Sequence, residues 1–292
     1  MDYDMELKIR NVVSKYRKRK AVGCIIVILA ILYLVYLGIF KMDYRVELVL
    51  GGWASFLLYL SVFAVYLVLA FAGLLAMVKA GEVIADVLAD DCDPYLYEAC
   101  LGRVSGAFYR DRTDCNRAMA IFYQGGFDRA FEILQRINVY KLKGGFRYNY
   151  YSLMSSIYFK RGLGMRVTEL EQAYRTGMKK NKRDQRYFQM LCLNNNVLRA
   201  IENKDYKKAF EFLSELEKTG IRTARLWNKV GVSITEAKIY DALGEKESAA
   251  LKLEYVIKNG GRLYYVGQAQ EMLKNYNEIK EESTNEEIYG GV

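Results

Sequence analysis

Two long uncharged runs dominate the first quarter of the chain. From Ala21 to Phe40 the stretch AVGCIIVILAILYLVYLGIF carries no charge. At about 1.5 Å per residue this covers the roughly 30 Å hydrocarbon core of a bilayer, and it predicts a transmembrane helix. A second uncharged stretch, from Leu48 to Val78, is longer than one perpendicular span needs. The crossing is therefore expected from about Trp53 onward, with a break at Gly51 and Gly52, Trp53 at headgroup level and Lys79 at the far end. Basic residues precede the first run, as in a signal peptide, but Gly38, Ile39, Phe40 and Lys41 supply no small-residue cleavage site. An uncleaved anchor is the expectation.

Charge sets the orientation. The segment before Ala21 holds seven Lys and Arg against three Asp and Glu, whereas the connection between the runs holds only Lys41 and Arg45 against Asp43 and Glu47. This asymmetry predicts a cytoplasmic N-terminus, and two spans return the rest of the chain to the cytoplasm. The run KYRKRK also suits anionic lipid headgroups. Gly23, Ala30 and Gly38 in the first span, and Ala72 and Ala76 beside Gly73 in the second, would let the helices pack closely as a hairpin. No Asp, Glu, Lys, Arg or His lies inside either span, so a charged proton relay or ion path has no candidate there.

Past Lys79 the pattern becomes polar with helical periodicity. An acidic segment, 81–94, ends in Cys92-Asp93-Pro94, which reads as a helix start with Asp93 capping and Pro94 in the first turn. Asp90, Asp91 and Asp93 lack the Gly and distal Glu of a calcium loop, leaving a divalent cation as the weaker alternative. Residues 95–115 predict one or two helices, broken near Gly102 or Gly106. Then related segments recur: YQGGFDRAFEILQRI (123–137), YFKRGLGMRVTELEQAY (158–174), ENKDYKKAFEFLSEL (202–216) and YDALGEKESAALKLEYVI (240–257). Anchored on Ala130, Val167, Ala209 and Ala249, they return at intervals of roughly 40 residues, a period of helix-pair arrays.

These segments resemble tetratricopeptide (TPR) repeats. In the first copy Gly125 turns the chain between Ala118 and Ile121 on one helix and Phe127, Ala130, Leu134 and Ile137 on the next. The second offers Ser155, Tyr158, Gly162, Val167 and Tyr174, with charged Glu171 where an apolar residue is wanted. The third has Val197, Ala200, Tyr206, Ala209, Leu213 and Leu216, with Lys204 in the usual Gly place. The fourth has Ala237, Tyr240, Gly244, Ala249, Leu253 and Val256. The family's Pro near the end of each unit is absent, and the period exceeds the family's usual one. The small anchors allow close helix approach, and the resemblance implies stacked helix pairs with a concave protein-binding face. Tyr264, Tyr265, Ala269, Met272 and Leu273 suit a final capping helix after a turn at Gly260 and Gly261. The expected architecture is all-α: a basic cytoplasmic segment (1–20), a transmembrane hairpin (21–78), a TPR-like α-solenoid (79–277) and an acidic disordered tail (278–292).

Composition narrows the chemistry. With no His, an imidazole base or ligand is excluded, and a single Pro favours helix throughout. Five Cys without metal or redox spacing read as small buried hydrophobes. The net charge of +9 is uneven, with an excess of Lys and Arg over residues 101–190 that is densest at Lys179, Lys180, Lys182, Arg183 and Arg186. Tyr148, Tyr150 and Tyr151 near Arg147 superficially suggest base stacking, yet Tyr151, Ser155 and Tyr158 share one helical face, as core residues do. No nucleophile elbow, phosphate-cradling loop or dinucleotide fingerprint is present.

The expected function is that of a membrane-anchored scaffold or adaptor at the cytoplasmic face of the plasma membrane. It would bind a protein or peptide partner, with Arg147, Arg161, Lys179, Lys180, Arg183 and Arg186 selecting acidic segments. The bilayer is the other expected partner. Nucleic acid, a small-molecule substrate, a cofactor and catalysis are not expected. The alternative is an accessory subunit of a larger membrane complex, held through the hairpin.

Overall fold

The computed structural model describes residues 3–40, 45–104, 110–179, 181–219 and 225–289, which contain twelve α-helices and no strand. They divide into two compact units, Met1–Asp86 and Val87–Val292.

The first unit is built from α1 (Tyr3–Phe40) and α2 (Arg45–Ala89), whose last residues enter the second unit. Both are long and apolar enough to cross a membrane. Helix α2 passes through Gly51 and Gly52 without the expected break and continues past Lys79 to Ala89. Two glycines cost about 1 kcal/mol each in a helix, less than leaving backbone amides unpaired among apolar side chains. The basic segment before Ala21 is likewise helical from Tyr3, supported by the Lys8–Asp4 pair at 2.8 Å one turn apart. The helices meet in opposite senses where Gly23 faces Gly73 and Met77, and Gly73 faces Val27. Ala30 and Ala80 are buried, whereas Ala72 is exposed. The close approach thus runs through Gly23 and Gly73 rather than through an Ala72/Ala76 pair.

The second unit begins with α3 (Pro94–Val104), α4 (Arg110–Tyr123) and α5 (Phe127–Gln135). Next come α6 (Gly145–Lys160), α7 (Val167–Gly177), α8 (Lys182–Glu202) and α9 (Tyr206–Lys218). The series ends with α10 (Leu226–Ala242), α11 (Lys246–Asn259) and α12 (Tyr264–Tyr289). The start of α3 is as expected: the Asp93 carboxylate accepts from the Tyr95 and Leu96 amides at 3.1 and 2.9 Å. The acidic segment expected to be disordered instead prolongs α12 to Tyr289. Once the first turns of α12 are docked, adding Glu- and Lys-rich turns needs no new nucleus. Gly106 and residues 290–292 lie outside the described residues.

Four helix pairs, α4/α5, α6/α7, α8/α9 and α10/α11, are closed by the same turn. Its left-handed residue is Gly125 (φ +89°), Gly162 (+67°), Lys204 (+58°) or Gly244 (+81°). The next amide reaches back five residues each time: Gly126 to Ile121, Leu163 to Tyr158, Asp205 to Ala200 and Glu245 to Tyr240, at 2.8–2.9 Å. Five positions after each left-handed residue stands Ala130, Val167, Ala209 or Ala249, all fully buried. Contacts between pairs also recur, since Tyr158 packs on Phe131 at 6.0 Å and Tyr240 on Phe210 at 5.6 Å. Tyr206 packs on the core cluster that joins α8, α9 and α10, and Phe127 meets Phe122 at 5.2 Å. Glu171, out of place in the apolar pattern, is answered from α8 by Asn195 at 2.8 Å and Arg199 at 3.0 Å.

Lys204 carries a strain that glycine would not, because a left-handed L-residue costs about 1–2 kcal/mol. On replacement by glycine, part of the gain is offset by the freer unfolded chain. Lys204→Gly is therefore expected to stabilise the second unit by about 0.5 kcal/mol. Gly162→Ala, with open space around its added methyl group, should cost about 1 kcal/mol through φ alone. Denaturant midpoints of the two variants check both signs.

The ends of the helix series touch. Asp90 pairs with Arg225, and Asp93 with Arg262 at 3.4 Å. The Arg262 amide donates to the Cys92 carbonyl oxygen at 2.9 Å, and its guanidinium lies 4.4 Å over the Tyr95 ring. Gly261, at φ +53°, comes so near that a Cβ would stand 2.9 Å from the carbonyl oxygens of Asp91 and Cys92. Rings complete the closure: Tyr264 meets Phe122 and Phe127 at 6.0 and 5.1 Å, and Tyr123 meets Trp227 at 4.9 Å.

Candidate functional site

Residues of α4, α6, α8 and α10, the first helices of the four pairs, line a common interior. This interior holds a cavity of about 220 Å³ lined by Tyr148, Asn149 and Ser152 of α6, Tyr187 of α8, and Trp227 and Asn228 of α10. A smaller one of about 80 Å³ is lined by Ser156, Asn194, Thr235 and Tyr265. Tyr123, Trp227 and Asn228 line both. Among the described residues, aromatic rings, amides and hydroxyls share the walls with a few aliphatic side chains and with no Lys, Arg, Asp or Glu. Tyr148 stacks on Tyr187 at 5.6 Å, with the Arg183 guanidinium 5.8 Å from the Tyr187 ring. Such walls offer flat apolar faces together with amides that can both donate to and accept from a peptide backbone.

The cations expected to select acidic partners have differing surroundings. Arg147 donates to the carbonyls of Leu142 and Gly177, bracing the turns around α6 and α7. Arg161 pairs with Asp128 at 2.6 Å and lies 4.1 Å from the Phe131 ring. Arg186 donates to the Thr219 carbonyl oxygen beyond α9. Arg183 stands against Gly144 and Tyr187 at the cavity edge. Lys179 is exposed, its amide donating to Asp184 at 3.1 Å, and Lys180 lies outside the described residues. Three of the six are thus committed to holding helix ends together.

Tyr151 and Ser155 are buried as core residues, and Tyr151 packs against Tyr174 at 5.2 Å. Asp90 and Asp93 turn to Arg225 and Arg262 rather than toward a shared cation. The five cysteines are free thiols. Burial pushes Cys92, Cys100 and Cys192 up to about 11 and Cys115 up to about 12, so these four remain protonated and poorly nucleophilic near neutral pH.

The cavity residues Tyr123, Asn149, Asn194, Trp227 and Asn228 were not singled out by the sequence patterns. One signal did exist. Asn194, Asn195 and Asn196 stand together in the middle of α8, where asparagine is a poor helix former. Asn194 and Asn195 are also buried, and each has work to do: Asn194 at the cavity, Asn195 on Glu171. No protein-family model, curated protein or solved structure matches the chain.

Proposed function

We propose that this chain is a membrane-anchored, TPR-like scaffold that binds an extended protein segment inside the curve of its helix pairs. Its two apolar helices would form a hairpin in the plasma membrane, with the N-terminus and the repeat domain on the cytoplasmic side. The observation that carries the binding role is the uncharged, aromatic- and amide-rich lining of the interior, centred on Tyr148, Asn149, Tyr187, Trp227 and Asn228. These side chains bring amide and hydroxyl groups to a cavity wall, where they can hydrogen-bond a segment lying in it. Membrane anchoring is supported by the outward display of Ile25, Leu29 and Leu32 on α1 and of Phe63, Val68 and Phe71 on α2, each about half exposed or more. The role is one of binding rather than catalysis.

The test places a photo-crosslinking residue at Asn149 or Trp227, and as a control at Leu251, which is 68% exposed on the outer helix α11. In full-length protein in membranes, one defined protein adduct is expected from the two interior positions and none from Leu251. Equal labelling from all three would overturn the interior as the binding face. An adduct retained only when crosslinkers are placed on α1 and α2 would favour the accessory-subunit role, with contacts made through the membrane helices.

A further inference from the structure

Two lysines at the closing seam stand in an environment that ordinary solvated lysines do not share. Lys160, the last residue of α6, is an exposed residue whose ammonium lies 4.3 Å from the Phe127 ring centroid and 5.1 Å from that of Tyr264. Lys238, on α10, is half-buried and donates to Gln268 Oε1 at 3.2 Å. Tyr264 and Gln268 are one turn apart on α12, so both ammonium groups border the same turn of that helix. Among the described residues neither ammonium has a carboxylate within ion-pair distance. The nearby acids are engaged elsewhere: Asp128 with Arg161, and Asp241 with Lys246.

The electrostatics agree with the geometry. Burial against the rings, with the charge of Lys238 adding to it, pushes Lys160 down to about 8, and burial lowers Lys238 as well. Ring faces compensate a cation only in part. Two like charges brought together at a seam, with aromatic walls and a single amide oxygen between elements, leave positive potential uncancelled. An anion placed there would favour the charged form of both lysines and would bridge α6, α10 and α12.

We propose that Lys160 and Lys238 form an oxyanion-binding site at the seam where α12 closes the helix series. A phosphate or a carboxylate supplies the charge and the acceptor oxygens that two ammonium donors bordering one helical turn would engage. It would come either from free inorganic phosphate or from a Glu or Asp side chain of a bound segment; the second source rests on the binding role proposed above. This assigns recognition of negative charge to two lysines beside α12 that the charge-dense cluster at 179–186 does not include.

The test uses the full chain in mild detergent, with inorganic phosphate and N-acetyl-glutamate amide as separate probes. Ionic strength is held constant with chloride, and the thermal midpoint of the second unit is read. Wild type is expected to rise by about 3 °C at tenfold saturation. Lys160→Met and Lys238→Met should lose that rise, and in chloride alone each should melt no lower than wild type, since an unpaired charge has been removed. Lys207→Met, an exposed position on α9, should respond as wild type does. A response to phosphate marks a free-anion site; one to the glutamate probe alone marks a segment-borne carboxylate and upholds the site in that form. No response to either probe, or an undiminished response in both Met variants, would overturn the site. So would variants that melt lower in chloride yet still respond, because the lysines would then be struts on the aromatic rings. Failure of the interior crosslinking with a positive phosphate response would remove the scaffold reading and leave this site standing.

Discussion

Tyr264→Ala is expected to lower the stability of the second unit by about 3 kcal/mol, the lower end of the range for an aromatic truncation because part of the residue remains in solvent. The ring is the meeting point of the seam. It touches Phe122 and Phe127, lies tilted with its centroid 4.3 Å from that of Tyr265, receives the Lys160 ammonium, and its Cβ lies 3.4 Å from where a side chain on Gly125 would begin. Burial drives its phenol far above the ordinary tyrosine range, as expected for a group enclosed by other rings. For a domain of this size, about 3 kcal/mol is a large part of the usual total of roughly 5–15 kcal/mol. The loss should also be local. Hydrogen exchange is expected to accelerate in α3 and in the first turns of α12, while α8 and α9 keep their protection. Arg262→Ala provides the contrast, because its bond to Asp93 is a partly exposed pair at 3.4 Å, and about 1 kcal/mol or less is expected. If the two variants cost the same, the closure is electrostatic and the aromatic account fails.

How far the amino-acid pattern reaches is visible in the turns. Gly125, Gly162, Lys204 and Gly244 share one conformation, and their spacing could be read because a helix-turn-helix is decided by residues a few positions apart. Even Lys204, the exception by residue type, takes the left-handed conformation, since the buried anchor five residues later holds the pair together. The seam was invisible for the opposite reason. Asp90 and Arg225 are 135 residues apart, Asp93 and Arg262 169 apart, and nothing in either local stretch signals the other. The basic residues are a third case. Linear density of Lys and Arg says nothing of direction, and Arg147 and Arg186 turn back onto main-chain carbonyls left over at helix ends. The missing break at Gly51 and Gly52 follows from surroundings: in water two glycines often end a helix, whereas among apolar neighbours the unpaired amides would cost more than the glycines do.

The second large effect is expected in the first unit, from Gly23→Leu and Gly73→Leu. A Cβ on Gly23 would lie 2.7 Å from Met77 Cγ and 2.9 Å from the Gly73 carbonyl oxygen; one on Gly73 would lie 2.7 Å from Val27 Cγ2 and 3.0 Å from the Gly23 carbonyl oxygen. Side chains can rotate away, but the two carbonyls belong to helices and can move only if the helices part. In a bilayer no hydrophobic force reassembles them, so association rests on the close packing these glycines permit. Overpacking of this kind costs about 2 kcal/mol, which corresponds to roughly a 30-fold change in the paired population. Cys24 supplies the reporter, since its sulfur lies 3.8 Å from that of Met77. In a Met77→Cys background, oxidation is expected to join Cys24 rapidly to the introduced thiol in an intramolecular disulfide in membranes. Adding Gly23→Leu or Gly73→Leu should slow it by roughly tenfold or more, while Ala72→Leu, at an exposed position on the same helix, should leave it unchanged. Should Ala72→Leu slow crosslinking as much as the glycine replacements, the contact face would lie one residue away, and α2 would pair through Ala72 and Ala76 instead.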